Sequence, residues 1–304
     1  MRKLLTFLIA LGAIVFAVVS PVSANGVLIL AGSKPATSSY QGPGDIVSGA
    51  TAWWGLRGYN GAYATGSSPA IVVCDTATFS TCSTINILSN GNLDAATAAG
   101  SPACATACVI QSFTDQTGNG HTASCASASV CATLTFNCIN STLPCATGNS
   151  TTSYSVSPTI AVTTGFTMSA VWNRATGVGG FEVLCCTPAT NSTPAFGSTS
   201  TGNQGYANNG GGNQTFTLAN PASHITTIVF NGASSVAVVD ATTTAIASVG
   251  TTGGTINGFF RGNNLSVTGN VEEFGIWGST AFNSTQYGNT CHNAYSYWAT
   301  SVSC

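Results

Sequence analysis

The chain has 304 residues, of which 5% are charged and 44% hydrophobic, with 35 glycines and twelve cysteines. That apolar content can build a core, which argues against disorder. Six Lys/Arg against eight Asp/Glu, with no basic cluster, leave out the positive surface a nucleic-acid partner needs.

Arg2 and Lys3, the apolar run from Leu4 to Val19 and the small-residue ending Val22-Ser23-Ala24 predict a signal peptide over residues 1–24, cut after Ala24. No later stretch reaches the roughly 20 apolar residues of a spanning helix without polar interruption. The expectation is a secreted, extracellular, periplasmic or cell-surface protein with no membrane partner after cleavage, residues 25–304 forming one all-β domain. Losing Arg2 and Lys3 leaves four basic against eight acidic residues, a net charge of −4.

All twelve cysteines lie in the exported part, so six disulfides are expected. Proximity pairs Cys74 with Cys82, Cys104 with Cys108, and Cys291 with Cys304. Cys125, Cys131, Cys138 and Cys145 allow three connectivities, of which pairing between neighbours is favoured. The cysteines lack the Cys-x-x-Cys spacing of a zinc site, and His121, His224 and His292 are isolated in sequence.

In chain order, Val27 to Leu30 reads as a strand. Asp45 to Leu56 reads as a helix capped by Asp45, with Ile46, Ala50, Trp53 and Trp54 near one face. Ala70 to Cys74 is a buried strand, and Val109 to Phe113 an alternating one. Asp115-Gln116-Thr117-Gly118-Asn119-Gly120 follows. It reads as a tight turn in which Asp115 bonds backbone amides and the glycines take positive φ. The competing reading is half of a calcium loop without the distal Glu, which makes calcium the one cofactor to consider.

Strands are then expected at Phe166–Trp172, Gly180–Leu184, Gln214–Leu218, Ile225–Phe230, Val236–Val239, Phe259–Arg261 and Val271–Trp277, separated by turn signals such as Asn231-Gly232 and Gly253-Gly254. This is the pattern of a sandwich or jelly roll. A final helix is expected with Ser284 as cap and Tyr287, Cys291, Ala294, Tyr295 and Trp298 on its core stripe.

The stretch from Cys104 to His121, a cysteine loop feeding a strand that ends in Asp-Gln-Thr-Gly-Asn-Gly, resembles the α-L-arabinofuranosidase B catalytic domain. The resemblance extends over roughly residues 45–125 through Trp53-Trp54-Gly55-Leu56-Arg57, Gly61-Ala62-Tyr63, Pro69 to Val73 and Gly91-Asn92-Leu93-Asp94. Asn270 to Trp277 is similar to a late strand of laminin-G-like and concanavalin-like sandwiches. The resemblance implies an all-β, concanavalin A-like jelly-roll β-sandwich with disulfide-rich loops and short flanking helices, and a carbohydrate or polysaccharide partner.

In that family an adjacent cysteine pair presents its disulfide to the sugar, and Cys185-Cys186 matches the pair in type and order. The alternative is two cysteines on opposite sides of a strand, each bonded elsewhere. The family's nucleophile, a Glu, falls near Gly202 to Tyr206, and its acid/base Asp falls in a Gly-Asp-Asn-like turn at Arg261-Gly262-Asn263-Asn264. Neither carboxylate is present: nothing acidic occurs between Glu182 and Asp240, and Asn263 stands in place of the Asp.

A retaining glycosidase needs two carboxyl groups about 5–5.5 Å apart. An amide cannot cycle a proton, yet it still bonds sugar hydroxyls. The candidate substrate-binding residues are therefore Cys185, Cys186, Gln204, Tyr206, Asn263 and Asn264, and Glu182 is the one catalytic candidate. Of Glu272 and Glu273 one is expected to be a structural acceptor, and Asp240 to serve a hairpin turn. Tyr206, Trp172 and Trp277 are candidate stacking rings that are each better explained as core. No Gly-x-Ser-x-Gly elbow or phosphate loop is present.

The expectation is a secreted, lectin-like carbohydrate-binding protein without hydrolysis. The rivals are an active α-L-arabinofuranosidase with repositioned carboxylates and a structural surface or appendage protein.

Overall fold

The computed structural model describes residues 40–174, 182–186, 194–199, 204–218, 222–260, 268–300 and 303–304. The expected signal peptide, the strand at Val27 to Leu30, and Asn263 and Asn264 lie outside the described residues. Helix α1 (Pro43–Ile46) leads into β1 (Ala52–Gly55), β2 (Ser68–Asp75), β3 (Cys82–Ile87), α2 (Ala95–Gly100), β4 (Cys108–Phe113), β5 (Thr122–Ser124), β6 (Thr133–Ile139), β7 (Leu143–Gly148), β8 (Tyr154–Val162) and β9 (Phe166–Trp172). There follow β10 (Glu182–Cys186), β11 (Ala195–Ser198), β12 (Gln204–Asn208), β13 (Gln214–Thr217), β14 (His224–Phe230), β15 (Val236–Val239), β16 (Thr242–Ala245), β17 (Gly254–Phe259), β18 (Gly269–Trp277) and α3 (Ser284–Trp298).

Among the described residues every strand pairing is antiparallel. One layer runs β3-β2-β4-β5-β8-β17-β10-β11-β12-β13. The other runs β18-β9-β14-β15-β16, with β1 and β7 following one another along the free edge of β18. Strand β6 pairs with β7 and touches β4 at Val109 and Thr133, which joins the two layers into a sandwich.

The period-two alternation decides what each layer buries. Trp54 and Phe274 from one layer stack on Phe259 from the other at 5.6 and 5.3 Å. Trp172 meets Phe196 edge-on at 5.7 Å. Each such ring removed from water contributes about 1.5–3 kcal/mol, so these interlayer aromatics dominate the core. The opposite face of β18 is also covered: Trp53, Tyr59, Trp277 and Phe282 form a second apolar cluster with Val47 and Ala50.

The expected helix at Asp45 to Leu56 is wrong beyond Ile46. Asp45 is not a simple cap; its carboxylate accepts from the Gly42 and Gly61 amides at 2.9 and 2.8 Å. Gly49 takes φ 79°, the helix stops, and Trp53 and Trp54 sit on opposite faces of β1. Both faces are covered, so the segment lacks the polar positions that would have marked it as a strand. In α3 the cap is Asn283, whose side chain accepts from the Gln286 amide, and not Ser284. Tyr295 is exposed, while Thr290 takes a buried place beside Cys291, Ala294 and Trp298.

The Asp115 turn works as a clamp on β1. Asp115 accepts from the Trp53, Thr117 and His121 amides at 3.1, 3.0 and 3.1 Å, and Gly118 and Gly120 take φ 86° and 84°. Gln116 accepts from the Tyr59 amide and donates to the Gly55 carbonyl at 2.8 and 2.9 Å. The stretch that most resembles an arabinofuranosidase is thus backbone scaffolding.

Six disulfides form, and they are the six expected: Cys74–Cys82, Cys104–Cys108, Cys125–Cys131, Cys138–Cys145, Cys185–Cys186 and Cys291–Cys304. Six disulfides are typical of extracellular proteins. Chain entropy gives about 2 kcal/mol for closing the loop between Cys104 and Cys108 and about 3 kcal/mol for the loop ending at Cys304. The Cys104→Ser/Cys108→Ser double variant should therefore lose protection of the Val109 to Phe113 amides in hydrogen exchange before it loses global stability. A drop in unfolding free energy well beyond about 3 kcal/mol would contradict this.

Candidate functional site

Strand β10 carries Cys185 and Cys186, and the register around it assembles the candidate site. Cys185 lies opposite Phe196 of β11 and Phe259 of β17, and Cys186 lies opposite Gly258. The Phe260 amide donates to the Leu184 carbonyl at 2.7 Å, so the described part of the chain approaching Asn263 ends beside the cysteine pair. The peptide between the two cysteines is cis and the pair is disulfide-bonded.

Both cysteines are buried. The Cys186 sulfur is 3.9 Å from the Met168 sulfur of the facing layer, so it points between the sheets. The Cys186 sulfur thus lines the sandwich interior.

The same register gathers the other candidates. Glu182 lies opposite Ser198 and Val183 opposite Gly197 on β11, and these lie opposite Gly205 and Tyr206 on β12. Glu182, Gln204, Tyr206 and the cysteine pair therefore share three adjacent strands. Gln204 is exposed. Tyr206 is buried, and burial pushes its hydroxyl well above the usual phenol range. Trp172 and Trp277 are fully buried, as expected of core rings. Where a nucleophile was expected, Gly205 has no side chain, and a Cβ there would collide with the Phe216 ring. Arg174, beyond β9, donates to the Thr199 carbonyl beyond β11 at 2.7 Å, tying the two layers near the start of β10.

The carboxylates divide sharply. Asp45 and Asp115 hold backbone amides as described, and Asp94 caps α2 by accepting from the Thr97 amide at 3.0 Å. Asp75 accepts from the Thr78 and Thr81 amides at 2.6 and 2.9 Å, bonds that hold it well below the usual carboxylate range. Asp240 sits in the β15–β16 hairpin, as expected. It also accepts from the Ile225 amide at 3.0 Å and meets His224 Nδ1 at 2.8 Å.

Glu273 is the structural acceptor of the adjacent pair. It takes Arg57 Nε and Nη2 on its two oxygens and the Trp298 indole at 2.8 Å. Glu272 is different. It is fully buried, neither oxygen has a hydrogen-bond partner, and desolvation, then the Glu273 charge, push it well above the usual carboxylate range. It lies at a bulge where β18 slips against β9 between Val271 and Glu273.

The Arg57–Glu273–Trp298 and His224–Asp240 groupings were missed in the sequence, since Arg57 and Glu273 are 216 residues apart and no local pattern joins them. Among the described residues no cluster of three His, Cys, Asp or Glu side chains could hold a metal. Asp115, the calcium candidate, already has several amide partners.

The fold is a two-layer antiparallel β-sandwich whose β10 strand carries a vicinal disulfide. More particularly, it is the fold of GH54 α-L-arabinofuranosidase catalytic domains. One such solved structure, soaked with a cyclic sulfate inhibitor, aligns with TM-score 0.63 at 14% identity. A glutamate-to-glutamine variant soaked with a nitrophenyl α-L-arabinofuranoside aligns at 0.65 and 14%. An arabinofuranosidase complexed with an arabinofuranosyl-xylobiose aligns at 0.58 and 15%. Each match covers 86% of this chain and 66% of the other, so the chain spans just under two thirds of those proteins. No family model and no curated protein matches the sequence.

Proposed function

We propose that the protein is exported after cleavage behind Ala24 and binds carbohydrate beside the β10–β11–β12 strands without hydrolysing it. The observation that carries the reading is the use of its carboxylates. Of the eight acidic residues, Asp45, Asp75, Asp94, Asp115, Asp240 and Glu273 are occupied by amides, His224, or Arg57 and Trp298. Glu272 is fully buried. Only Glu182, on the same strand as the cysteine pair, remains, and one carboxylate cannot serve as both nucleophile and acid/base at once. Gln204, with Asn263 and Asn264 further along, supplies the neutral donors and acceptors that read hydroxyls. The likeness to arabinofuranosidases makes arabinofuranose-bearing glycans the first ligands to test.

Purified protein should release no nitrophenol from a nitrophenyl α-L-arabinofuranoside above a buffer control, and Asn263→Asp should not create an efficient enzyme, because the nucleophile is still missing. Binding of an arabinose-bearing oligosaccharide, followed by calorimetry, should weaken in Gln204→Ala. Wild-type release of arabinose that is lost in Glu182→Gln would overturn the non-hydrolytic reading and establish the enzyme.

A further inference from the structure

We infer that the cleft between α3 and the Tyr40–Ile46 segment is a second saccharide site, built for a neutral sugar and separate from the cysteine pair. The cleft is open and about 460 Å³ in volume, within the range of small-ligand sites. Its floor holds two rings fixed in advance. The Tyr40 hydroxyl donates to the Gly58 carbonyl at 2.5 Å, and the Tyr40 ring meets Tyr297 edge-on at 6.2 Å. Tyr297 in turn packs against Trp298 at 4.8 Å and lies 5.0 Å from the Arg57 guanidinium.

The wall is polar. Asn289, His292, Asn293 and Ser296 recur at helical spacing, so α3 presents amides, an imidazole and a hydroxyl along one stripe. Asn293 donates through Nδ2 to the Gln41 carbonyl at 2.9 Å, which fixes its amide and leaves its buried Oδ1 without a partner.

Charge selects the ligand class. Among the described lining residues there is no Asp, Glu, Lys or Arg, and the nearby Arg57 is committed to Glu273. Asp45, in the same segment, turns its carboxylate to the Gly42 and Gly61 amides and is not in the lining, so an anionic or cationic ligand finds no counter-charge among the residues that line the cleft. A neutral polyhydroxylated ring finds two tyrosines in the lining and the Asn289 amide and Ser296 hydroxyl for its own hydroxyls. The two sites are on opposite sides of β18: Glu273 points to Trp298 and α3, and Phe274 points to Phe259, the cross-strand neighbour of Cys185. A polysaccharide long enough to reach both would gain avidity without any new contact.

The three histidines make the test site-specific. In the full disulfide-bonded protein with isotope-labelled histidine, His292 reports on the cleft, and His224, buried against Asp240, serves as internal control. Neutral arabino-, xylo-, manno- and gluco-oligosaccharides at millimolar concentrations are the probes. At least one should shift the His292 imidazole signals saturably and leave those of His224 in place.

The exposed double variant Asn289→Ala/Ser296→Ala should weaken that titration about three- to tenfold, the loss of a hydrogen bond or two, with unchanged thermal stability. A His292 signal unmoved by every probe, or a titration the double variant leaves unchanged, would overturn the inference. Binding seen by calorimetry and weakened by Gln204→Ala while His292 stays still would refute the cleft and leave the first site standing. A saturable His292 titration, with all calorimetric binding unchanged by Gln204→Ala, would do the reverse.

Discussion

Arg57→Ala should destabilise the protein by about 3–5 kcal/mol, because it strands the Glu273 carboxylate in a site where both partners are buried. The pair closes the outer face of β18. Arg57 spans both Glu273 oxygens, Trp298 donates to one of them, and Tyr297 covers the guanidinium. Burial works against the guanidinium charge and is the largest single effect, but Glu273 together with Tyr40 and Tyr297 outweighs it and raises the Arg57 pKa above its ordinary value.

Two comparisons separate charge from packing in denaturant unfolding. Glu273→Gln, which leaves Arg57 buried without its counter-ion, should cost about as much as Arg57→Ala. The double variant Arg57→Met/Glu273→Leu should cost less than either single change, since no charge is left uncompensated. A loss below about 1 kcal/mol for Arg57→Ala would mean the pair behaves as a solvated surface bridge.

That pair also marks the limit of what the sequence discloses. Strands such as Phe166 to Trp172 and Val236 to Val239 were legible to the residue, because β-branched and aromatic runs bounded by turns specify themselves locally. The disulfides were legible because short loops close with their neighbours, and even the ambiguous four paired that way. Segment Asp45 to Leu56 was misread because both faces of β1 are buried, which erases the alternation that separates strand from helix.

The site was legible in part. Cys185 and Cys186 stood out through their adjacency, and the gap in acidic residues could be counted. What could not be read was their depth, which depends on register with β11 and β17, distant in sequence. Nor could the sequence say which of two adjacent glutamates would find an arginine. A bulge at Glu272 settles that, and bulges leave no local mark here.

Glu272→Gln should stabilise the protein, by an amount that grows with pH. The carboxyl is buried with no partner for either oxygen, and desolvation with the Glu273 charge raises its pKa well above the ordinary 4.5. Below that ordinary value the group is protonated in both folded and unfolded chains, and substituting an amide of nearly the same shape changes little. Above it the unfolded chain releases the proton while the folded chain keeps it, so wild-type stability declines by up to about 1.4 kcal/mol per pH unit until the folded group itself ionises.

The glutamine variant lacks that linkage. Its thermal midpoint should match wild type near pH 4 and move ahead as pH rises through neutrality, by roughly 2–4 °C for each kcal/mol in a chain of this size. A constant offset across pH would show that Glu272 ionises alike in both states and has a partner in solution. A glutamine variant that grows less stable with rising pH would show that the carboxylate is held charged. In that case the carboxylate would have a stabilising partner in the folded chain, and the reading of Glu272 as a buried group kept neutral would fall.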